Sequence, residues 1–365
     1  GDIYTLKERA KAQGYLASVW GIASVVGPTL GGVFSQFVSW RWIFYVNVPI
    51  CILAAIMIIR ALHENIEKKK HKVDYLGTAL ITVGMSLIIL AVLEGGVAWA
   101  WDAPISIGAF VLGGLLLLAF VFVEKYAAEP VLPLWVFSRR LLVSTALVGL
   151  GVGAIVIGLS AYVPTYLQGS LGVAPIVAGL ALAVLTIGWP LSAALSGRFY
   201  LRIGFRNTVL MGLVFAILGA LLLAGTAHSP SIVIVAISCF VIGLGMGFVA
   251  VPSLVAAQSS VEWEQRGVVT GAQLFARSIG SAVGVAIFGA IANSIIASSG
   301  KPATSIPVVI SSSAAVFFAV AVVVVATVLA ALWMPRSRVG GVVGIPVGES
   351  STAAAAEGAA EGIAG

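Results

Sequence analysis

The sequence predicts an all-α fold, a polytopic bundle of transmembrane helices, on three observations. Hydrophobic residues make up 60% of the 365-residue chain and charged residues only 9%, where a soluble domain carries roughly 25% charged residues. The apolar residues gather into ten runs, and most approach or exceed the roughly 20 residues that a helix needs to cross a bilayer. The charges fall almost entirely in the short segments between those runs. Mean hydropathy is +1.10.

The runs cover residues 16–38, 43–60, 75–93, 105–123, 141–163, 174–196, 208–227, 231–256, 269–296 and 308–334. The first contains GIASVVGPTLGG, with helix breakers near its middle. In lipid such small residues let backbones approach closely, so the segment reads as a bent helix packed tightly on a neighbour. Pro28 frees the carbonyl of Ser24 and favours the bend. The second run holds Asn47 two residues before Pro49, where an amide could satisfy carbonyls near a kink or touch a substrate. The third and fourth end in Glu94 and Glu124, which read as boundary residues at opposite faces. The last six runs are joined by turn residues such as Ser229-Pro230 and Gly300-Lys301-Pro302. The Gly/Ala/Glu-rich tail after Trp333 has no apolar face to bury and reads as a disordered tail.

Lysine and arginine set the threading. If the N-terminal segment is cytoplasmic, 17 of the 20 basic residues fall on the cytoplasmic side, Arg41 and Lys301 fall outside, and Arg277 lies within a span. That bias is the positive-inside pattern of a plasma-membrane protein, and it places both ends of this chain in the cytoplasm. The Lys68-Lys69-Lys70 run reads as part of this topology signal, next to lipid headgroups. Net charge is +6, yet these placements exclude a nucleic-acid partner. Membrane lipid is the partner the composition requires. Cys51 and Cys239 both fall in spans and suggest no disulfide framework. No signal peptide is visible. The chain opens at Gly1 and its first methionine is Met57, so residues preceding Gly1 are expected.

Few residues could carry chemistry. No Asp or Glu sits within the middle of a run, and His63, His71 and His228 lie in loops. No cluster of His, Asp, Glu or Cys suggests an enzyme or a metal site, and no cofactor is implied. Asn47, Tyr162, Gln168, Trp189 and Gln273 could line a cavity, as could Tyr166 and Ser192. Aromatic faces attract cations, but Trp and Tyr also anchor helices at interfaces. Trp189, deep in its run before Pro190, is the better cavity candidate. Arg277 has two readings, snorkelling to the cytoplasmic face or pairing with a carboxylate or anionic substrate in a central cavity. An internal repeat relates Arg9, Gly14, Ser24, Gly27 and Gly32 to Arg266, Gly271, Ser281, Gly284 and Gly289 at a constant offset of 257. Both copies open a run that enters from the predicted cytoplasmic side, so the repeat is parallel.

The Gly-Pro stretch with Gly21, Gly27, Pro28, Gly31 and Gly32, after Glu8, Arg9, Lys11, Ala12 and Gly14, resembles the antiporter motif of major facilitator superfamily exporters. Gly280, Gly284 and Gly289 read as its repeat. WRWIFYVNVP and YVPTYLQGSLGVAPIVAG are similar to segments of the fourteen-helix drug:proton antiporter branch, the EmrB/QacA type. GRFYLRIGFR, with Gly197, Arg202, Gly204 and Arg206, resembles the superfamily's loop signature. Two positions depart from the pattern: Ala23 replaces a usual glycine, and Leu201 stands where an aspartate is common.

The resemblance covers residues 1–335 and implies that the first four helices of the family are missing. Residues 1–60 would be a remnant of the N-terminal half, 61–140 two linking helices, 141–335 the C-terminal six-helix half, and 336–365 a disordered cytoplasmic tail. It also implies export of drugs or small lipophilic molecules, cationic by family default, in exchange for protons. The coupling carboxylate would then lie in the missing helices. The rival expectation is a truncated, non-transporting membrane protein or scaffold.

Overall fold

The computed structural model describes residues 41–61, 74–95, 98–127 and 135–336, together with isolated positions between 15 and 39 and Pro130 and Pro133. Among the described residues there are nine helices long and apolar enough to cross a membrane. They are α1 (Trp42–Ala61), α2 (Tyr75–Glu94), α3 (Pro104–Tyr126), α4 (Arg140–Leu171), α5 (Pro175–Ile203), α6 (Phe205–Gly225), α7 (Ile232–Ser259), α8 (Arg266–Ser299) and α9 (Ile306–Trp333). The protein is thus an all-α membrane-helix bundle. The first predicted run, 16–38, lies largely outside the described residues.

Several helices overrun the apolar windows that announce them. The run at 141–163 becomes a 32-residue helix through Pro164, and α8 reaches 34 residues, about 51 Å at 1.5 Å per residue. Apolar length marks only the part in hydrocarbon, while backbone hydrogen bonding continues until a residue breaks it. Gly172 ends α4 in the left-handed region at φ 63°, and Ala174-Pro175 restarts the chain as α5. Gly204, at φ 84°, makes the tight connection from α5 to α6. Such conformations favour glycine because it has no Cβ to clash.

The helices form two packed groups. In the smaller, α2 lies on α3, with Gly84 and Gly113 each close to the other's carbonyl oxygen. Asp74 caps α2 by accepting from the Gly77 amide at 2.8 Å. Glu124 differs from the expected boundary residue. It is only 3% exposed, and its Oε2 lies 3.1 Å from where a Gly77 Cβ would stand. The absent side chain at Gly77 leaves a slot that Asp74 and Glu124 fill. This pair of helices touches the larger group through α2 against α8, while α1 packs on no other described helix.

The larger group is α4 to α9. Here α5 and α6 both pack on α7, α8 and α9 pack on α4, and α6 closes against α9. Tyr166 stitches the centre: its ring meets Phe317 edge-on at 5.3 Å, and its hydroxyl donates to the Ala227 carbonyl at 2.7 Å. Tyr166 is therefore core and not cavity lining. At the opposite end of α4, Arg140 donates to the Trp333 carbonyl at 2.8 Å and Arg139 to that of Ser260 at 3.2 Å. These bonds tie the start of α4 to the ends of α9 and α7.

Candidate functional site

The site is built on two glycine-mediated crossings. In lipid, helices gain little from burying apolar surface against each other, so close backbone approach carries the packing. The first crossing joins α4 to α8. A Cβ at Gly280 would collide with the Leu150 carbonyl, and one at Gly153 with the Arg277 carbonyl. A Cβ at Gly284 would lie 2.8 Å from Ala154 Cα. Ser281 closes the contact by donating to the Gly153 carbonyl at 3.2 Å, and it also reaches its own helix at Arg277 O, 3.1 Å. Of the predicted motif repeat, Gly280 and Gly284 lie on this crossing. Gly289 does not, since its nearest neighbour would be the Tyr162 hydroxyl at 3.8 Å.

The second crossing joins α5 to α7. A Cβ at Gly243 would collide with Leu185 backbone, and one at Gly247 with the Trp189 carbonyl and Ser192 Oγ. Gly188 sits against Phe240 O from the other side. Pro190 cannot donate to Thr186, which weakens α5 at this level. Ser192 hydrogen-bonds back to the Gly188 and Trp189 carbonyls, both at 3.1 Å. The backbone that presents the Trp189 indole is thus clamped by α7.

Between the crossings, Arg277 of α8 places its guanidinium carbon over the Trp189 ring, 4.9 Å from the centroid. Both side chains are half-buried. Because α5 and α8 share no packed interface, the pair links two helices that do not otherwise pack. Trp189 is the central residue of the 29-residue α5. The guanidinium therefore turns to the middle of a neighbouring helix, which disfavours the snorkelling reading.

The energetics are unbalanced. An arginine at bilayer depth costs about 2.5–3.5 kcal/mol on insertion scales, and a desolvated cation–π contact returns about 2 kcal/mol. The sequence from Pro130 to Val261 and from Gln265 to Gly348 holds no Asp or Glu, so α4 to α9 contain no carboxylate at all. The remaining cost is not offset by an acid on these six helices.

The other predicted residues are dispersed. Gln273, one turn before Arg277, is buried and faces α4. With its amide oriented to satisfy both atoms it donates to Thr145 O at 3.1 Å and accepts from Thr145 Oγ1 at 2.5 Å, so it joins helices. Tyr162 packs at the level of Gly289, about 18 Å along α8 from Arg277, and Gln168 lies farther along α4. Asn47 donates to Ile43 O at 2.9 Å on its own helix. That is not the Tyr45 carbonyl which Pro49 leaves without an amide donor. In the loop signature Gly197 is buried, Arg202 and Leu201 are exposed, Gly204 makes the turn, and Arg206 is half-buried at the start of α6. Gly27 is helical and exposed, and a Cβ there would meet none of the described residues within 4 Å. Gly21, Pro28, Gly31 and Gly32 lie outside the described residues. Sequence reasoning missed the clamp on Trp189, although GLGMG at Gly243–Gly247 carried its small-residue signal.

Residues 1–285 match the family model described as Major Facilitator Superfamily. The chain is 33% identical over 294 residues to Multidrug transporter protein MdtP of Bacillus subtilis, covering 80% of this chain and 54% of that one. With Multidrug resistance protein 3 of the same organism it shares 30% over 304 residues, covering 83% and 59%. Citrate exporter 1 of Yarrowia lipolytica is 32% identical over 304 residues, covering 80% of this chain and 45% of its own. The chain spans about half the length of these curated relatives.

Proposed function

This chain belongs to the major facilitator superfamily, and on that premise we propose that it is part of an exporter of small lipophilic molecules in the fourteen-helix drug:proton antiporter branch. Export proceeds by alternating access, with two helical halves rocking around a central site. The C-terminal half is α4 to α9, and its contribution to the site is the Arg277–Trp189 pair. The single observation that carries this reading is that bridge. It is a costly half-buried cation held on an aromatic face between helices that do not otherwise pack. A membrane-embedded ionisable residue of this kind marks a transport pathway by default. The relatives are named for multidrug transport or resistance and for citrate export, which supports export while leaving the sign of substrate charge to the site itself.

Proton exchange is the coupling that the family resemblance implies. Because α4 to α9 contain no Asp or Glu, the exchanging carboxylate lies elsewhere in the working protein. The protein resides in the plasma membrane, with the start of this chain and its tail cytoplasmic. The rival reading, a membrane scaffold that moves nothing, draws on the same lack of acid in these helices.

Everted membrane vesicles carrying the protein separate the two. Respiration acidifies them, and an added substrate that exchanges for protons dissipates the gradient, read by a pH-sensitive dye. Dissipation that is lost in Trp189→Ala supports the exporter. No response across a panel of lipophilic compounds, with the protein present in the membrane, supports the scaffold.

A further inference from the structure

We propose that the Arg277–Trp189 bridge makes this site selective for organic anions: amphipathic molecules with a flat apolar body and one carboxylate or comparable acidic group. The inference rests on the reading above that the bridge is the C-terminal half of the substrate site.

The charge inventory is the first observation. Arg277 is the sole basic residue in the interior of α4 to α9. Arg140, Arg206 and Arg266 lie in first helical turns, and Arg198 and Arg202 lie near the end of α5. No residue of these six helices is acidic. The half-site therefore presents one uncompensated positive charge, and what it attracts from either aqueous phase is negative.

The second observation is how the guanidinium is held. Its carbon lies over the Trp189 ring, 4.9 Å from the centroid, and among the described residues none of its five N–H groups donates a hydrogen bond. A cation–π contact draws on the charge of the group and occupies no hydrogen-bond acceptor, so these donors remain for a ligand. A guanidinium takes a carboxylate bidentately, through two parallel N–H to oxygen bonds. The half-buried indole beside it supplies apolar surface for the body of the ligand.

The third observation concerns the opposite charge. A lipophilic cation would seek the Trp189 face by the same attraction that holds Arg277 there. It would have to displace the guanidinium or sit beside it as a like charge, with no carboxylate on these helices to offset either. The geometry thus discriminates by repulsion as well as attraction, which is how specific sites reject near-isosteres.

The competing account is that a carboxylate from outside α4 to α9 already neutralises Arg277. A matched probe pair distinguishes them. Naphthalene-2-carboxylate and naphthalen-2-ylmethylammonium share an aromatic body and differ in charge sign. Their binding to the purified full chain in lipid nanodiscs is measured by equilibrium dialysis. The carboxylate is expected to bind on the order of tenfold more tightly than the ammonium, the scale of a charge-assisted hydrogen bond. In Arg277→Gln the two should become equal, and Arg277→Lys should retain part of the preference, because it keeps the charge and loses the fork. Identical size-exclusion profiles establish that the variants are folded.

Equal or tighter binding of the ammonium overturns the anion selectivity while leaving the site intact. So does a preference for the carboxylate that survives Arg277→Gln. Binding of both probes that is unchanged in Trp189→Ala has a different meaning: it overturns the substrate-site reading itself, and the selectivity with it.

Discussion

Replacing single glycines of α8 by alanine turns the α4–α8 crossing into a graded test. At Gly280 the new methyl would fall on the Leu150 carbonyl group, with the carbonyl carbon at 2.6 Å and Cα at 2.7 Å. Comfortable contact between such atoms begins near 3.5 Å, so α8 must retreat by about 1 Å. The partner is rigid helix backbone and cannot swing aside. Overpacking of this kind costs about 1–3 kcal/mol. A gap of that size also forfeits up to half of each neighbouring dispersion contact. The Ser281 bond to Gly153, already 3.2 Å, stretches past useful length and adds about 1 kcal/mol. Alanine returns about 1 kcal/mol of helix propensity, leaving a net loss of about 1–3 kcal/mol, set by the overpacking cost.

For a unit of this size 1 kcal/mol moves a melting midpoint by about 2–4 °C, so Gly280→Ala should lower it by about 2–12 °C. At Gly284 the methyl meets Ala154 at 2.8 Å and the drop should be smaller. At Gly271 nothing lies within 4 Å, and at Gly289 only the Tyr162 hydroxyl at 3.8 Å, so both variants should hold the midpoint or raise it. Thermal shift of detergent-purified protein, followed by size exclusion, reads all four. A Gly280→Ala protein as stable as the parent, or four indistinguishable variants, would refute the close-crossing account.

Other expectations follow from single contacts. Tyr166→Phe keeps the ring on Phe317 but strands the buried Ala227 carbonyl, costing about 1–3 kcal/mol in the same thermal assay. Gly204→Ala forces a Cβ onto a residue at φ 84° and ψ 162°, an expected loss of about 1–3 kcal/mol; an unchanged midpoint there would contradict the turn. Gly247→Ala should push α7 off the Trp189 backbone and weaken probe binding at the Arg277 site more than Gly225→Ala, which meets open space. For topology, with Cys51 and Cys239 replaced, Lys301→Cys should react with an impermeant thiol reagent on intact cells. Arg202→Cys should react only after permeabilisation, and the reverse pattern would invert the threading.

The sequence alone determined the solvent of this protein and its helices, because both follow from local composition. Apolar runs must satisfy their backbone hydrogen bonds internally in lipid, so nearly every run announced its own span. Arg277 and Trp189 were also visible as single oddities, one a cation in an apolar run and the other an indole before a proline. Helix ends were less legible: α4 and α8 continue past their apolar windows until Gly172 and Gly300 stop them.

Partnership was decided by the tertiary structure. Tyr162, Trp189, Gln273 and Arg277 were all cavity candidates along the chain, yet of these four only Trp189 and Arg277 meet. Gln273 turns to Thr145, Tyr162 packs at the level of Gly289, and Glu124 is drawn into the slot beside Gly77. The physical reason is that a helix repeats its faces every 3.6 residues, and sequence does not say which face meets which neighbour. That choice is made where two backbones can approach, and here the approach is set by Gly153 against Arg277 and Ser281, and by Gly247 against Trp189.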